Sequence, residues 1–148
     1  MTLVDTNVLL DVTGNDPVWA AWSLAQLKAA ALAGPLIVND VIYAELSVRF
    51  PTMEALDAIL ATLGARLEPI PRKGLFLAAK AFTVYRTRGG NRSGVLPDFF
   101  IAGHAVAACT PLLTRDRGRF ADYFPDIVLI APDPAGTVPI GGAARSAE

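Results

Sequence analysis

Thr2-Leu3-Val4-Asp5-Thr6-Asn7-Val8-Leu9-Leu10-Asp11 is the stretch whose reading decides the fold. A short apolar strand ends on a carboxylate, and a second apolar run follows at once. Strands buried on both faces, as in parallel sheets, read as short continuous apolar runs. In an open parallel α/β sheet, ligands bind outside the carboxyl ends of the strands, where the strand order reverses. With Leu3-Val4 as the central strand, Asp5 stands at the mouth of that crevice.

Outward from this strand, apolar runs alternate with helical patterns. Asp16-Pro17 starts a helix that carries Trp19, Trp22, Leu24, Leu27 and Ala31 and stops at Gly34-Pro35. Leu36-Ile37-Val38 is the second strand. Asn39 or Asp40 caps a helix that holds Glu45 and runs to about Phe50-Pro51. Thr52 caps the next helix, with Leu56, Ile59, Leu60 and Leu63 on one stripe, and Gly64 ends it. Leu67 to Ile70 is a weaker third strand, and Pro69 within it marks it as an edge. Pro71 opens a long helix that leads into a glycine-rich basic loop with Arg86, Arg88 and Arg92. Pro97-Asp98 starts a helix through Ile101, Ala102 and Ala105, followed by a fourth strand, Leu112-Leu113-Thr114, then Arg115-Asp116. A brief helical stretch near Phe120 to Phe124 precedes the fifth strand, Ile127 to Ile130. The pattern predicts an α/β domain over residues 1–131, with a parallel sheet covered on both faces, and a flexible tail over 132–148.

Composition narrows the chemistry. The 148 residues are 53% hydrophobic and 18% charged, enough for one domain with a sizeable core. A net charge of -1 supplies no overall basic field, so any nucleic-acid contact must come from a local basic stretch. With one Cys and one His, a disulfide framework and a cysteine zinc site are excluded. A metal here needs oxygen ligands, which points to magnesium or manganese. No uncharged run reaches the ~18 residues of a spanning helix. A strand beginning at Thr2 leaves no room for a signal peptide, which predicts a cytoplasmic protein.

Four acids fall on one rim by topology alone. In a parallel α/β sheet each helix begins at the edge where each strand ends. Asp5 ends strand one, and Asp116 follows strand four. Asp98 opens the helix before strand four, and Glu45 lies one and a half turns into the helix after strand two. Glu45 shares a helical face with Val41 and Val48, and Asp98 with Ile101, Ala102 and Ala105, which turns both toward the sheet. Two carboxylates about 4 Å apart repel by roughly 4 kcal/mol at an effective dielectric near 20. Such a cluster needs a cation or a proton to coexist, and a divalent metal both satisfies it and activates water beside a phosphodiester. Singly, each acid has a plainer reading: Asp98 as a helix N-terminal charge, Glu45 as a surface acid, Asp5 and Asp116 as turn residues.

Val4 to Asp11, then Tyr43-Ala44-Glu45-Leu46, then Leu96 to Ala102, then Leu113-Thr114-Arg115-Asp116 resemble the PIN domain, and most closely the VapC-type toxins of bacterial toxin–antitoxin pairs. The resemblance covers roughly residues 2 to 131. It implies a three-layer α/β/α sandwich with a five-stranded parallel sheet of order 3-2-1-4-5. It implies an endoribonuclease dependent on Mg²⁺, with Mn²⁺ able to substitute, in which metal-activated water cuts RNA to a 5′-phosphate and a 3′-hydroxyl. By position, Asp5, Glu45, Asp98 and Asp116 match the family's catalytic and metal-binding acids, with Asp5 and Asp98 as principal ligands. Asn7 and Thr114 match polar residues that support them. The implied partners are RNA, a VapB-type antitoxin over the acidic cleft and a second copy of the chain; no membrane is involved. The helices around Val48 to Leu63 are a candidate dimer surface, although core packing explains them equally well.

Arg86, Arg88 and Arg92, and separately Arg115, Arg117 and Arg119, are candidate RNA contacts, against the alternative of solvated positive loops. His104 lies six positions after Asp98, on another helical face, and reads as a packed, hydrogen-bonded residue rather than a base. Trp19 and Trp22, at helical spacing among Ala and Leu, read as core or interface rather than base-stacking groups. Three other functions share the architecture. A haloacid-dehalogenase-like phosphatase has a second Asp two residues after the first, where this chain has Asn7. A phosphorelay receiver needs an acidic pair after strand one and a Lys after strand five, and has neither here. A PIN-fold RNA- or protein-binding module with little catalytic activity is the third.

Overall fold

Five strands run parallel in the order β3-β2-β1-β4-β5, the order that the family resemblance implies. They are β1 (Thr2–Val4), β2 (Leu36–Val38), β3 (Ala65–Leu67), β4 (Leu112–Leu113) and β5 (Leu129–Ile130). The computed structural model describes residues 1–118 and 120–133, so all but the first two residues of the expected tail, and Arg119, lie outside the described residues. β1 is central: Leu3 faces Ile37 across one edge and Leu112 across the other. All three residues of β1 and of β2 are buried. That is why these runs carry no polar alternation.

Among the described residues, seven α-helices accompany the sheet: α1 (Thr6–Thr13), α2 (Ala20–Ala33), α3 (Asp40–Ser47), α4 (Met53–Leu63), α5 (Arg72–Thr87), α6 (Leu96–Ala107) and α7 (Phe120–Tyr123). The chain steps from β1 to β3 in one direction through α1 to α4, then returns through β4 and β5 with α5 to α7. Right-handed crossovers therefore place the two sets on opposite faces. Packing agrees, since α1 meets α2 and α3, whereas α5 meets α6 and α7. The result is the three-layer α/β/α sandwich.

Local signals mostly act as their chemistry dictates. Asn39 caps α3 by accepting from the Ile42 amide at 3.0 Å, and Thr52 caps α4 by accepting from the Ala55 amide at 3.1 Å. Asp16 accepts from the amides of Val18 and Trp19 at 2.9 and 2.8 Å, holding the turn from which α2 starts at Ala20, later than Pro17 suggests. Three expectations need correction. β3 is Ala65–Leu67, not Leu67–Ile70: Pro69 lacks the donor a ladder needs, so pairing falls on residues before it. It is an edge strand, and its Arg66 pairs with Glu68 at 3.0 Å. α3 ends at Ser47 rather than near Phe50. Val48, beyond that end, is 81% exposed and cannot turn Glu45 inward.

Two features fix α6, which carries Asp98. Phe99 is fully buried and meets the rings of Phe82, Tyr85, Tyr123 and Phe124 at centroid distances of 5.4 to 6.2 Å. That aromatic cluster sets the rotation of the first turn of α6. Along the same helix, Gly103 and Gly74 of α5 let the two backbones approach closely. A Cβ on Gly74 would stand 3.0 Å from the Gly103 carbonyl oxygen, and one on Gly103 would overlap the Gly74 carbonyl.

Candidate active site

The carboxyl edge of the sheet gathers side chains from β1, α1, α3, α6 and the turn after β4. Asp5 leaves the end of β1 and caps α1, its Oδ1 accepting from the Thr6 amide at 2.8 Å. Its Oδ2 accepts from the Thr114 hydroxyl at 2.8 Å and, more weakly, from Asn7 Nδ2 at 3.5 Å. Thr114 in turn accepts from the Asp116 amide at 3.1 Å and from Asn7 Nδ2 at 3.4 Å. A hydroxyl has one proton to give, and the shortest contact sends it to Asp5. Asn7 Oδ1 accepts from the Arg115 amide at 3.2 Å, stitching α1 to the turn after β4.

Glu45 reaches the same edge by a different link: the Thr6 hydroxyl donates to its Oε1 at 3.0 Å. Thr6 thus joins Asp5 through its amide and Glu45 through its hydroxyl. The sequence hides this role, because a Thr after an acidic strand end reads only as a turn residue.

The charges reveal which acids stand together. Asp5 is 7% exposed, and its carboxyl is pushed up to about 6. Burial is the main cause, and the negative charges of Asp98 and Glu45 add to it against the hydrogen bonds from Thr114 and Thr6. Glu45 is raised too, first by burial and then by Asp98, with the Thr6 hydroxyl opposing. Asp5, Glu45 and Asp98 therefore form one repelling group. Asp116 is linked differently: it lies on an exposed turn, its Oδ1 within 3.1 Å of where a Cβ on Gly118 would be. Its tie to Asp5 runs through its amide and Thr114.

Among the described residues, no three Asp, Glu, His or Cys groups stand close enough to enclose an ion as placed. The donor set still fits one kind of ion. It is all oxygen, crowded with like charge, and among the described residues neither Asp5 nor Glu45 has an ion pair. A hard dication such as magnesium or manganese suits such donors.

A second polar chain lies behind the site. Asp11, 2% exposed at the end of α1, accepts from the Ser23 hydroxyl at 2.7 Å and stands 3.0 Å from Arg115 Nε. The Nε–H is not aimed well enough to count as a hydrogen bond, so the attraction there is Coulombic. The Arg115 guanidinium also covers the Trp19 ring at 5.3 Å. Of the basic candidates, Arg115 is thus anchored between Asp11 and Trp19, and Arg88 lies over Tyr123 at 5.3 Å. Arg86, in the last turn of α5, is exposed, as is Arg92. Arg117 Nε donates to the Pro132 carbonyl at 3.1 Å.

His104 is 2% exposed and bonded to Asn39, Nδ1 to Nδ2, at 3.2 Å. Since Asn39 Oδ1 takes the Ile42 amide, its nitrogen faces the imidazole. His104 Nδ1 is therefore the acceptor, and burial lowers its pKa, keeping it neutral. The contact ties α6, with Asp98, to the cap of α3, with Glu45. Trp22 is buried and meets Trp19 edge-on at 5.8 Å, a packing role.

A model of the PIN domain matches residues 2–123. The chain belongs to the PIN domain family. Solved structures share the fold of this PIN domain. VapBC2 from Rickettsia felis bound to a promoter DNA fragment matches with a TM-score of 0.68 and 19% identity, over 89% of this chain and 98% of that one. FitAcB from Neisseria gonorrhoeae matches with a TM-score of 0.64 and 21% identity, over 87% and 96%. VapBC-1 from nontypeable Haemophilus influenzae matches with a TM-score of 0.64 and 18% identity, over 88% and 96%. At these identities the likeness is one of fold. A search of curated proteins finds no match. Among the described residues of the PIN domain, no helix is long and apolar enough to cross a membrane.

Proposed function

We propose that this PIN domain is a divalent-metal-dependent endoribonuclease, the toxin of a VapBC-type pair. The observation that carries the reading is the group of Asp5, Glu45 and Asp98, three acids held together at a cost that a bound cation removes. Asp5 and Asp98 are the principal ligands, and Glu45 and Asp116 orient the attacking water or a further ion. Asn7 and Thr114 hold the Asp5 carboxylate in place by hydrogen bonds. A bound Mg²⁺ or Mn²⁺ supplies charge neutralisation at the phosphodiester and acidifies water. The chain's own contribution is to fix carboxylate oxygens at the sheet edge and to keep Asp5 dry. The antitoxin of VapB type, a homodimer and a cytoplasmic setting follow from the same reading. The solved VapBC and FitAcB proteins are the support for a partner, by fold alone.

The test is cleavage of a mixed single-stranded RNA by purified protein with Mg²⁺, Mn²⁺ or EDTA. Cleavage is expected with either metal, none in EDTA, and a loss of at least a hundredfold in Asp98→Asn. Full activity in Asp98→Asn or in EDTA would contradict the proposal. Mn²⁺ binding without cleavage would instead favour a PIN-fold binding module.

A further inference from the structure

A cleft of about 630 Å³ lies at the far end of α1 and past the end of α3. Its walls include Leu10, Thr13 and Gly14 from α1 and its cap, Arg49 and Phe50 from just after α3, and Arg115 after β4. The cleft borders the site through Arg115, which stands between Thr114 and Asp116 and whose amide donates to Asn7 Oδ1 at 3.2 Å. Along α1, at 1.5 Å per residue, the cleft wall at Leu10 lies about 6 Å beyond Thr6. A polymer that extends past Asp116 and Arg115 would meet this cleft next.

Two guanidinium groups mark this path. Arg115 is preset: Asp11 holds its Nε from the buried side at 3.0 Å, Trp19 covers its plane, and its side chain keeps 31% exposure toward the cleft. Arg49 is exposed, and among the described residues its side chain has neither ion pair nor hydrogen bond. The cleft's acids are otherwise engaged, Asp11 by Arg115 and Ser23, and Asp16 by the amides of Val18 and Trp19. Arg49 is the cation left to meet an incoming anion.

We infer that this cleft is the subsite for the RNA strand flanking the scissile phosphodiester, with Arg49 and the outer edge of the Arg115 guanidinium binding a neighbouring phosphate. The inference rests on the ribonuclease reading for its ligand, and its test separates the two. Arg49→Glu and Arg49→Ala, checked for an unchanged melting curve, are compared with the parent on two labelled single-stranded RNAs. Both contain one cleavage site; one carries several nucleotides on each side and the other a single nucleotide. Binding is also read by fluorescence anisotropy in EDTA, where no cleavage is needed.

Arg49→Glu raises KM at least tenfold on the long RNA with kcat within threefold, and changes the short RNA little. Arg49→Ala lowers the slope of log affinity against log salt by about 0.7. Unchanged KM and affinity on the long RNA, or equal losses on both lengths, overturns the subsite. So does a variant that loses only a protein partner. Should the parent bind but cleave neither RNA, the nuclease reading fails, while the length-dependent affinity still decides the subsite.

Discussion

At Asp5 two requirements pull apart, because the residue that best serves a cation is the one the fold can least easily hold charged. Its carboxyl titrates near 6 in the fold, against an ordinary value of 3.8. Between those values the folded chain binds the proton that the unfolded chain has released, so metal-free stability falls as pH rises from about 4 to 6. The loss amounts to at most about 3 kcal/mol above pH 6. Asp5→Asn removes it, and in EDTA at pH 7.5 its melting temperature should exceed the parent's by several degrees. A variant that melts no higher than the parent would mean that the carboxylate is not strained. Thr114→Val tests the opposing contribution. It deletes the 2.8 Å bond to Oδ2 at almost constant volume, so the Asp5 titration moves further up. The acidic limb of the pH–rate profile should shift to higher pH in this variant, while the alkaline limb stays in place.

Elements explain why the acids could be placed from sequence and why their company could not. Strand ends and helix starts share an edge by topology, so Asp5 is legible from the apolar run of β1 and Asp98 from the helix start at Pro97, whereas Thr114 enters only through the family resemblance. Asp98 was read inward from Ile101, Ala102 and Ala105, all buried. Glu45 reached the edge for a reason the sequence hides: Val48 points to solvent, and the Thr6 hydroxyl does the positioning. Asp11 with Arg115 spans more than a hundred residues of chain, and no local pattern announces such a pair. Nor does spacing reveal that Gly74 and Gly103 abut across α5 and α6. Gly103→Ala should force those helices apart and cost about 1–3 kcal/mol, read as a lower melting temperature. Since α6 carries Asp98, weaker Mn²⁺ binding by calorimetry should accompany it. A melt equal to the parent's would show that the crossing has slack.

For the whole molecule, the crowded edge makes folding and cation binding a single balance. A cation that binds only the folded chain stabilises it by RT ln(1 + [L]/Kd), about 2.7 kcal/mol at a hundred times Kd. That is comparable with the strain assigned to Asp5, so saturating Mn²⁺ at pH 7.5 should raise the melting temperature by roughly 5 to 10 °C for a domain of this size. At pH 5 the Asp5 carboxyl holds its proton, which a cation must displace, so the same Mn²⁺ concentration should give a much smaller rise. Asp5→Asn should respond weakly at both pH values, because the charge that couples fold to cation is gone. His104 sets the opposite trend independently. Kept neutral by burial, it costs stability as pH falls below the ordinary value of 6.5, with or without metal. Melts in EDTA and in Mn²⁺ across pH 5 to 8 therefore separate the two residues: the His104 slope is common to both series, and the difference between series belongs to the acids. A difference independent of pH would place the cation elsewhere than on Asp5.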